Sequence, residues 1–315
     1  MALDRTSSRA AYLAWISVCI LWGTTYLGIR IALETIPPAL IGGIRYTIAG
    51  AILAGFLMAR GVRLPARAHW PGLTLLAFLM IVLGNGGVIW AEQWVPSGIA
   101  AVLVACSPFW ANGIEALLPN GERLTWHTLV GLVFGFAGIL LLVWPELTAG
   151  GAGGHQFVLG VLAIQVAGVG WSVGSIYSRR HAREESALGA SAVQMLMGGI
   201  LMLAIATIHG EWSVLRWSPR SLAAELYLIV AGSLAGYSAY LYALRHLPIS
   251  TVSLYAYINP LLAVLLGTWL VHEPFGWRVV AAAVLVFLGV AVVRGQGGSL
   301  APLFGRKVRI KGSVA

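Results

Sequence analysis

The sequence predicts an all-α integral membrane protein, with ten transmembrane helices arranged as two inverted five-helix repeats around a central cavity. Three observations predict it. Hydrophobic residues make up 59% of the 315 and charged residues only 10%, with a mean hydropathy of +0.85; a soluble domain carries about 25% charged residues. The apolar residues form ten continuous runs without period-two alternation, each near the roughly 20 residues that a helix needs to cross the hydrocarbon core. The second half also repeats the first. Trp22 and Trp171 lie 149 positions apart, as do Arg45 and Gln194; Pro96 and Pro248, and Pro108 and Pro260, lie 152 apart; Trp126 and Trp277 lie 151 apart. A slowly drifting offset is the mark of tandem duplication with small indels in loops. Each copy holds five spans, and that odd number turns the second copy upside down.

The first repeat occupies 1–147. Span 1 (11–32) carries Trp22 and Tyr26; it lacks a small-residue cleavage site and reads as a retained span rather than a signal peptide. Span 2 (38–59) holds Arg45, and span 3 (70–90) ends in Gly84-Asn85-Gly86-Gly87. Span 4 (97–117) contains Pro108, Trp110 and Glu115, whereas span 5 (127–145) has no Trp or Tyr at mid-depth. A Gly-rich stretch, 148–156, reads as a flexible connection to the second repeat, 157–296. Span 6 (157–177) carries Trp171, span 7 (188–208) Gln194, and span 8 (222–244) Tyr237 and Tyr240. Span 9 (249–271) brings Tyr255, Tyr257, Asn259 and Pro260, and span 10 (277–294) closes the set before a basic tail, 297–315.

Orientation follows from Lys and Arg rather than from the formal net charge of +9. With both termini in the cytoplasm, 15 of the 20 basic residues fall on the cytoplasmic side, five of them from Arg294 onward. The tail then reads as a topology and headgroup anchor, not as a nucleic-acid site. Trp70, Trp90, Trp94, Trp126, Trp144, Trp212, Trp217, Trp269 and Trp277 stand near span ends, as an interfacial belt requires.

Trp22, Trp110 and Trp171 remain at mid-depth, joined by Tyr26, Tyr237, Tyr240, Tyr255 and Tyr257. An indole or phenol in hydrocarbon needs a partner for its polar atom, so these groups face a cavity or a neighbouring helix. Singly, each fits ordinary interhelical packing; together they describe a cavity lining, with Asn85 and Asn259 as neutral polar members. Pro108 and Pro260 each fall near the middle of a span. A proline there removes one hydrogen bond, which would turn the carbonyls of Val104 and Ala256 toward a cavity and make a site for a zwitterion; a plain kink is the alternative. Both prolines, and the segments 84–87 and 232–236, are candidate hinges. Arg45 either faces the cavity as a carboxylate ligand, or snorkels outward or pairs with Glu34 or Glu92. Glu225 is expected near an outer span end, and Glu115 is expected to be hydrated near the cytoplasmic interface.

The stretch Trp94-Val95-Pro96-Ser97-Gly98, then Ser107-Pro108-Phe109-Trp110, then Gly121-Glu122-Arg123-Leu124-Thr125-Trp126 has a copy in the second half. The copy reads His246-Leu247-Pro248, then Asn259-Pro260-Leu261-Leu262, then His272-Glu273-Pro274-Phe275-Gly276-Trp277. With Leu21-Trp22-Gly23-Thr24 at the start, the chain resembles the EamA-like branch of the drug/metabolite transporter superfamily over nearly its whole length, and within it the YddG type of amino-acid exporter. It departs from the pattern at Pro274, which follows Glu273 where Arg123 follows Glu122. The resemblance implies a ten-helix exporter of small metabolites, with spans 1–4 and 6–9 around the cavity and spans 5 and 10 outside it. Inverted repeats around a midplane site are in any case an arrangement of secondary transporters, which work by alternating access.

No phosphate-binding Gly-x-x-x-x-Gly-Lys-Ser/Thr sequence occurs. The seven His stand at span ends or in loops, and no acidic residue is expected at the midplane, so movement down the substrate's own gradient is expected rather than proton antiport. Neither paired midplane carboxylates nor a nucleophile–base set is visible, and Cys19 and Cys106 have no metal-ligand spacing, so catalysis, metal and cofactor are not expected. The expected partners are a small-molecule substrate, an amino acid or similar metabolite, and the lipid bilayer; the protein is read as a monomer of a bacterial inner membrane that binds no nucleic acid. The rival within transport is a drug or quaternary-ammonium exporter driven by protons, for which a buried carboxylate would speak.

Overall fold

The computed structural model describes residues 5–119, 126–149, 152–180, 186–247, 252, 255–273 and 276–294, with a few side chains inside these ranges excepted. The tail 297–315, Glu122, Pro248 and the side chain of Tyr257 lie outside what is described. Every regular element among the described residues is helical. Besides two short 3-10 helices, Arg67–His69 and Glu211–Ser213, they are in order α1 (Arg5–Ala32), α2 (Pro38–Ala59), α3 (Trp70–Leu76, Ala77–Gly86 and Gly87–Ala91), α4 (Ser97–Val104 and Ser107–Leu117), α5 (Trp126–Ala149), α6 (Ala152–Arg180), α7 (Ala187–Ile208), α8 (Pro219–Tyr227, Leu228–Ala235 and Gly236–His246), α9 (Tyr255–Val271) and α10 (Trp277–Arg294). Among the described residues seven helices are long and apolar enough to cross a membrane, and three shorter apolar stretches, Leu129–Leu142, Ile258–Val271 and Trp277–Val292, lie in α5, α9 and α10. The Gly-rich connection is helical on both sides of 150–151, so a flexible linker over the whole of 148–156 is not what forms.

Local chemistry sets the boundaries. Pro38 opens α2, where its missing N–H costs nothing. The same helix ends at Gly61, whose φ of 73° allows the left-handed turn, with Val62 N–H donating to Leu57 O and Gly61 N–H to Met58 O at 2.9 Å each. Ser186 caps α7 through Gly189 N–H, and Ser218 with Ser221 forms a capping box before α8, again with proline in the first turn. The Ala77–Gly86 and Leu228–Ala235 segments of α3 and α8 are π-helical. They start 151 positions apart, the same spacing that relates Trp126 to Trp277.

Without a hydrophobic drive between helices in lipid, close approach of small residues does the packing. α2 and α7 meet so closely that a Cβ on Gly50 would stand 2.6 Å from Leu196 N, and one on Gly199 would strike the backbone of Thr47. α5 and α10 pair in the same way, with Gly138 against the Ala282 carbonyl. The main contacts are α1 with α8 and α9, α6 with α3 and α4, α2 with α7 and α8, α7 with α3, α4 with α9, and α5 with α10. Exchanging each helix for the one five places along returns this set to itself. Lipid-facing surface is apolar and aromatic: Leu265, Val133, Trp126, Trp269 and Trp277 are all well exposed.

Candidate functional site

The centre of interest lies where α1 meets α8 and α9. Trp22 of α1 presses its indole onto Gly236 of α8, where a Cβ would come within 2.6 Å of Nε1. Its N–H donates to the Gly232 carbonyl at 3.0 Å. That carbonyl belongs to the π-helical turns, in which the shifted hydrogen-bond register leaves backbone acceptors open to side chains. Around the indole stand Tyr240 and Tyr255, with centroids at 5.1 Å each, and Tyr237 at 6.5 Å; Tyr240 also meets Tyr255 edge-on at 5.9 Å. With the amide nitrogen of Asn259 facing its acceptors, it donates to Tyr255 O in its own helix and to Cys19 O in α1, at 3.0 Å each. Trp22, Tyr237, Tyr240 and Tyr255 therefore form one aromatic cluster, drawn from both halves of the chain, and Asn259 ties α9 to α1 next to it.

The other expected lining residues lie elsewhere. Trp110 donates to Gln165 Oε1 at 2.9 Å, between α4 and α6, with Phe136 edge-on to it. Trp171 packs on Gly84, in the π-helical part of α3. There Asn85 bonds back to Met80 O at 3.0 Å, inside its own helix. Tyr26 packs against the Val95, Ile99 and Leu103 core. An opening of about 700 Å³ beside the α1–α2 connection is lined by Ile36, Val82, Trp90, Met202, Glu211 and Arg216, among others, and by none of the expected residues.

The two prolines differ. α4 is interrupted at Ala105 and Cys106, and Pro108 lies in the first turn of its second part. The Val104 carbonyl, expected to be free for a ligand, instead accepts the Ser107 hydroxyl at 2.6 Å. Pro260 lies inside the continuous helix α9; the single bond it cannot make does not break the turns on either side.

Two ionisable groups lie close to the aromatic cluster, Arg45 on α2 and Glu225 on α8. Arg45 neither snorkels outward nor pairs with Glu34 or Glu92. It is buried, its Nε donates to Ser233 Oγ of α8 at 2.8 Å, and its guanidinium lies 4.9 Å from the ring centre of Tyr46. Its Nη2 approaches Gly232, the residue whose carbonyl takes the Trp22 N–H. Glu225, expected near an outer span end, is buried as well, and neither carboxyl oxygen has a hydrogen-bond partner among the described residues. The helices packed against α8 cover it, which position along a span does not reveal. Arg220 takes Glu34 at 3.2 Å, and Arg180 takes Glu115 at 2.9 Å.

A second polar cluster sits at the ends of α1, α3 and α4. Glu273 accepts from the Ser97 and Gly98 N–H groups, at 2.8 and 3.2 Å, and from the Ser97 hydroxyl at 2.9 Å. It thus caps the N-terminus of α4 from a distant connection. Arg30 reaches Glu273 at 4.0 Å and donates to the Glu92 backbone carbonyl at 2.7 Å. Glu92 stands one residue beyond the span that ends at Ala91. Its carboxyl group is fully buried and unpartnered among the described residues. Burial first, then the charge of Glu273, holds its pKa well above the ordinary carboxyl range, with Arg30 opposing. Among the described residues no three His, Cys, Asp or Glu gather as a metal site.

A sequence profile of the EamA-like transporter family matches the chain twice, over residues 9–144 and 158–295. The chain is 35% identical over 288 residues to the uncharacterized inner membrane transporter YedA of Escherichia coli strain K12, covering 90% of each. It is 26% identical over 293 residues to the uncharacterized transporter YvbV of Bacillus subtilis, covering 92% of this chain and 91% of that one. A chloroplastic WAT1-related protein of Arabidopsis thaliana is 23% identical over 302 residues, covering 93% of this chain and 72% of its own length. One solved crystal structure superposes with a TM-score of 0.61 over 90% of this chain and 96% of its own, at 22% identity, a likeness of fold alone. On its two matched halves and its 35% identical relative, the chain belongs to the EamA-like transporter family.

Proposed function

We propose that this protein is a ten-span secondary transporter of an inner membrane, built from two inverted repeats with both termini cytoplasmic, which exports amino acids by alternating access. Flux follows the substrate's own gradient, the protein works as a monomer, and its chemistry is binding rather than catalysis. The observation that carries the reading is the aromatic cluster of Trp22, Tyr237, Tyr240 and Tyr255, held between α1 of one half and α8 and α9 of the other. A relative motion of the halves would open and close such a cluster. The exchange symmetry of the helix contacts and the paired π-helical segments support two equivalent rocking units. The YddG type of amino-acid exporter is the branch this reading favours.

Counterflow of labelled amino acids into proteoliposomes, with and without a pH gradient, tests it. Substrate-specific counterflow without the gradient is expected. Silence for every amino acid from folded protein would overturn the substrate class, and strict dependence on the pH gradient would overturn the energetics. One observation favours a second reading, proton-coupled export of a drug or quaternary ammonium: Glu225 supplies the buried carboxylate that a lipophilic cation seeks.

A further inference from the structure

Arg45 and Glu225, a cationic side chain and an ionisable carboxyl group, are both buried on facing helices, yet they do not form a direct ion pair. The ion pairs within 4.0 Å among the described residues are Arg30–Glu273, Arg180–Glu115 and Arg220–Glu34. Arg45 uses Nε for the neutral Ser233, and Glu225 uses neither oxygen. The two remain within electrostatic reach of one another and of Tyr46, as does Tyr237, a member of the aromatic cluster. The arginine head also approaches Gly232, the residue that anchors Trp22, and Thr25 reaches the same glycine. The arginine head and the aromatic wall thus meet at one π-helical turn, and Glu225 stands in the α-helical turn of α8 just before it.

An arginine and a carboxyl group buried without direct contact are costly, and ionisable groups are retained in a membrane interior where function uses them. The repeat sharpens the point. The position matching Arg45 is the neutral Gln194, and the one 151 residues before Glu225 is the neutral Thr74. The charges are not part of the duplicated packing scheme; they were placed on one side of it.

We propose that Arg45 and Glu225 are the two poles of a zwitterion site. The guanidinium takes the carboxylate of an α-amino acid, Glu225 takes its ammonium group, and the Trp22 and Tyr237 cluster receives its side chain. This rests on the transport reading above and narrows it. A plain cation would satisfy Glu225 and leave a buried arginine opposed, and a plain anion would do the reverse.

The test is competition against counterflow of one labelled zwitterionic amino acid, using as competitors the unlabelled amino acid, its methyl ester and its N-acetyl derivative. The proteins compared are wild type, Arg45→Gln, Arg45→Lys and Glu225→Gln. Glutamine occupies the matching position at 194, so the backbone at 45 accommodates it. Wild type is expected to prefer the zwitterion over either derivative by about tenfold or more, the range for losing one charge-assisted hydrogen bond. Arg45→Gln is expected to lose its preference over the ester while keeping that over the N-acetyl form. Glu225→Gln is expected to do the converse, and Arg45→Lys to keep part of the wild-type preference. Folded variants with wild-type ratios overturn the proposal and leave transport standing. A wild type silent toward amino acids overturns the transport reading itself. Were Arg45→Gln to elute aggregated, Glu225→Gln alone would decide, since an unchanged preference over the N-acetyl form would refute the negative pole.

Discussion

Glu92 offers a sharp test of the electrostatic reasoning. Its carboxyl group is fully buried at the junction of α3 and α4, with no hydrogen bond among the described residues, beside the charge of Glu273. The folded protein therefore binds a proton there more tightly than the unfolded chain, in which the group titrates near 4.5. The sign follows from linkage. Above the unfolded pKa the unfolded chain sheds its proton and the folded one keeps it, so stability falls as pH rises. The stabilisation is complete below the unfolded value and is lost as pH climbs through the raised folded value. Each pH unit inside that window is worth at most about 1.4 kcal/mol, so pH 5 to 7 spans up to about 2.7 kcal/mol. Glu92→Gln replaces a neutral acid by a neutral amide of nearly the same shape, and is expected to match wild type near pH 5 and to exceed it near pH 7. Apparent unfolding temperatures of both proteins in the same detergent, read by tryptophan fluorescence from pH 4.5 to 8, supply the comparison. Parallel curves for the two would refute the reasoning, because every other titrating group is common to both.

Three further perturbations bear on packing, capping and the broken helix. Gly50→Leu drives a side chain into the Leu196 and Ala192 backbone of α7; overpacking of this kind costs about 1–3 kcal/mol, so a lowered unfolding temperature is expected, whereas Gly55→Leu, with open space around it, should change little. Glu273→Ala removes three acceptor contacts from the start of α4 and is expected to cost about 1–2 kcal/mol, with Glu273→Gln recovering part; equal stability of all three proteins would deny the cap its role. Pro108→Ala, at the break in α4, is expected to reduce counterflow more than folded yield, and proportional loss of both would leave the proline as mere packing.

What the sequence reveals of this protein follows from the physics of each feature. Pro38–Ala59 was readable to the residue, because an apolar run there begins at a helix-starting proline and ends before a glycine. Span 6 was underestimated, since Ala152–Arg180 continues through polar ends that hydropathy does not score. The aromatic members of the site were visible because an indole or phenol at mid-depth needs a partner, and Trp22 finds one at Gly232. The π-helical turns that present that carbonyl leave no mark in composition beyond their glycines, for a one-residue shift of backbone hydrogen bonds alters no side chain. The long-range facts were out of reach for a different reason. Position along a span leaves Arg45 open to face a cavity or to snorkel, and places Glu225 near an interface, but only the approach of α8 to α2 turns the arginine inward to Ser233 and covers the carboxyl group. Likewise Glu273 caps Ser97 across 176 positions. The repeat itself held the usable hint. Where two copies of one scaffold differ by a charge, as Arg45 differs from Gln194 and Glu225 from Thr74, the scaffold does not explain the charge, and the residue is a candidate for what the protein binds rather than for how it folds.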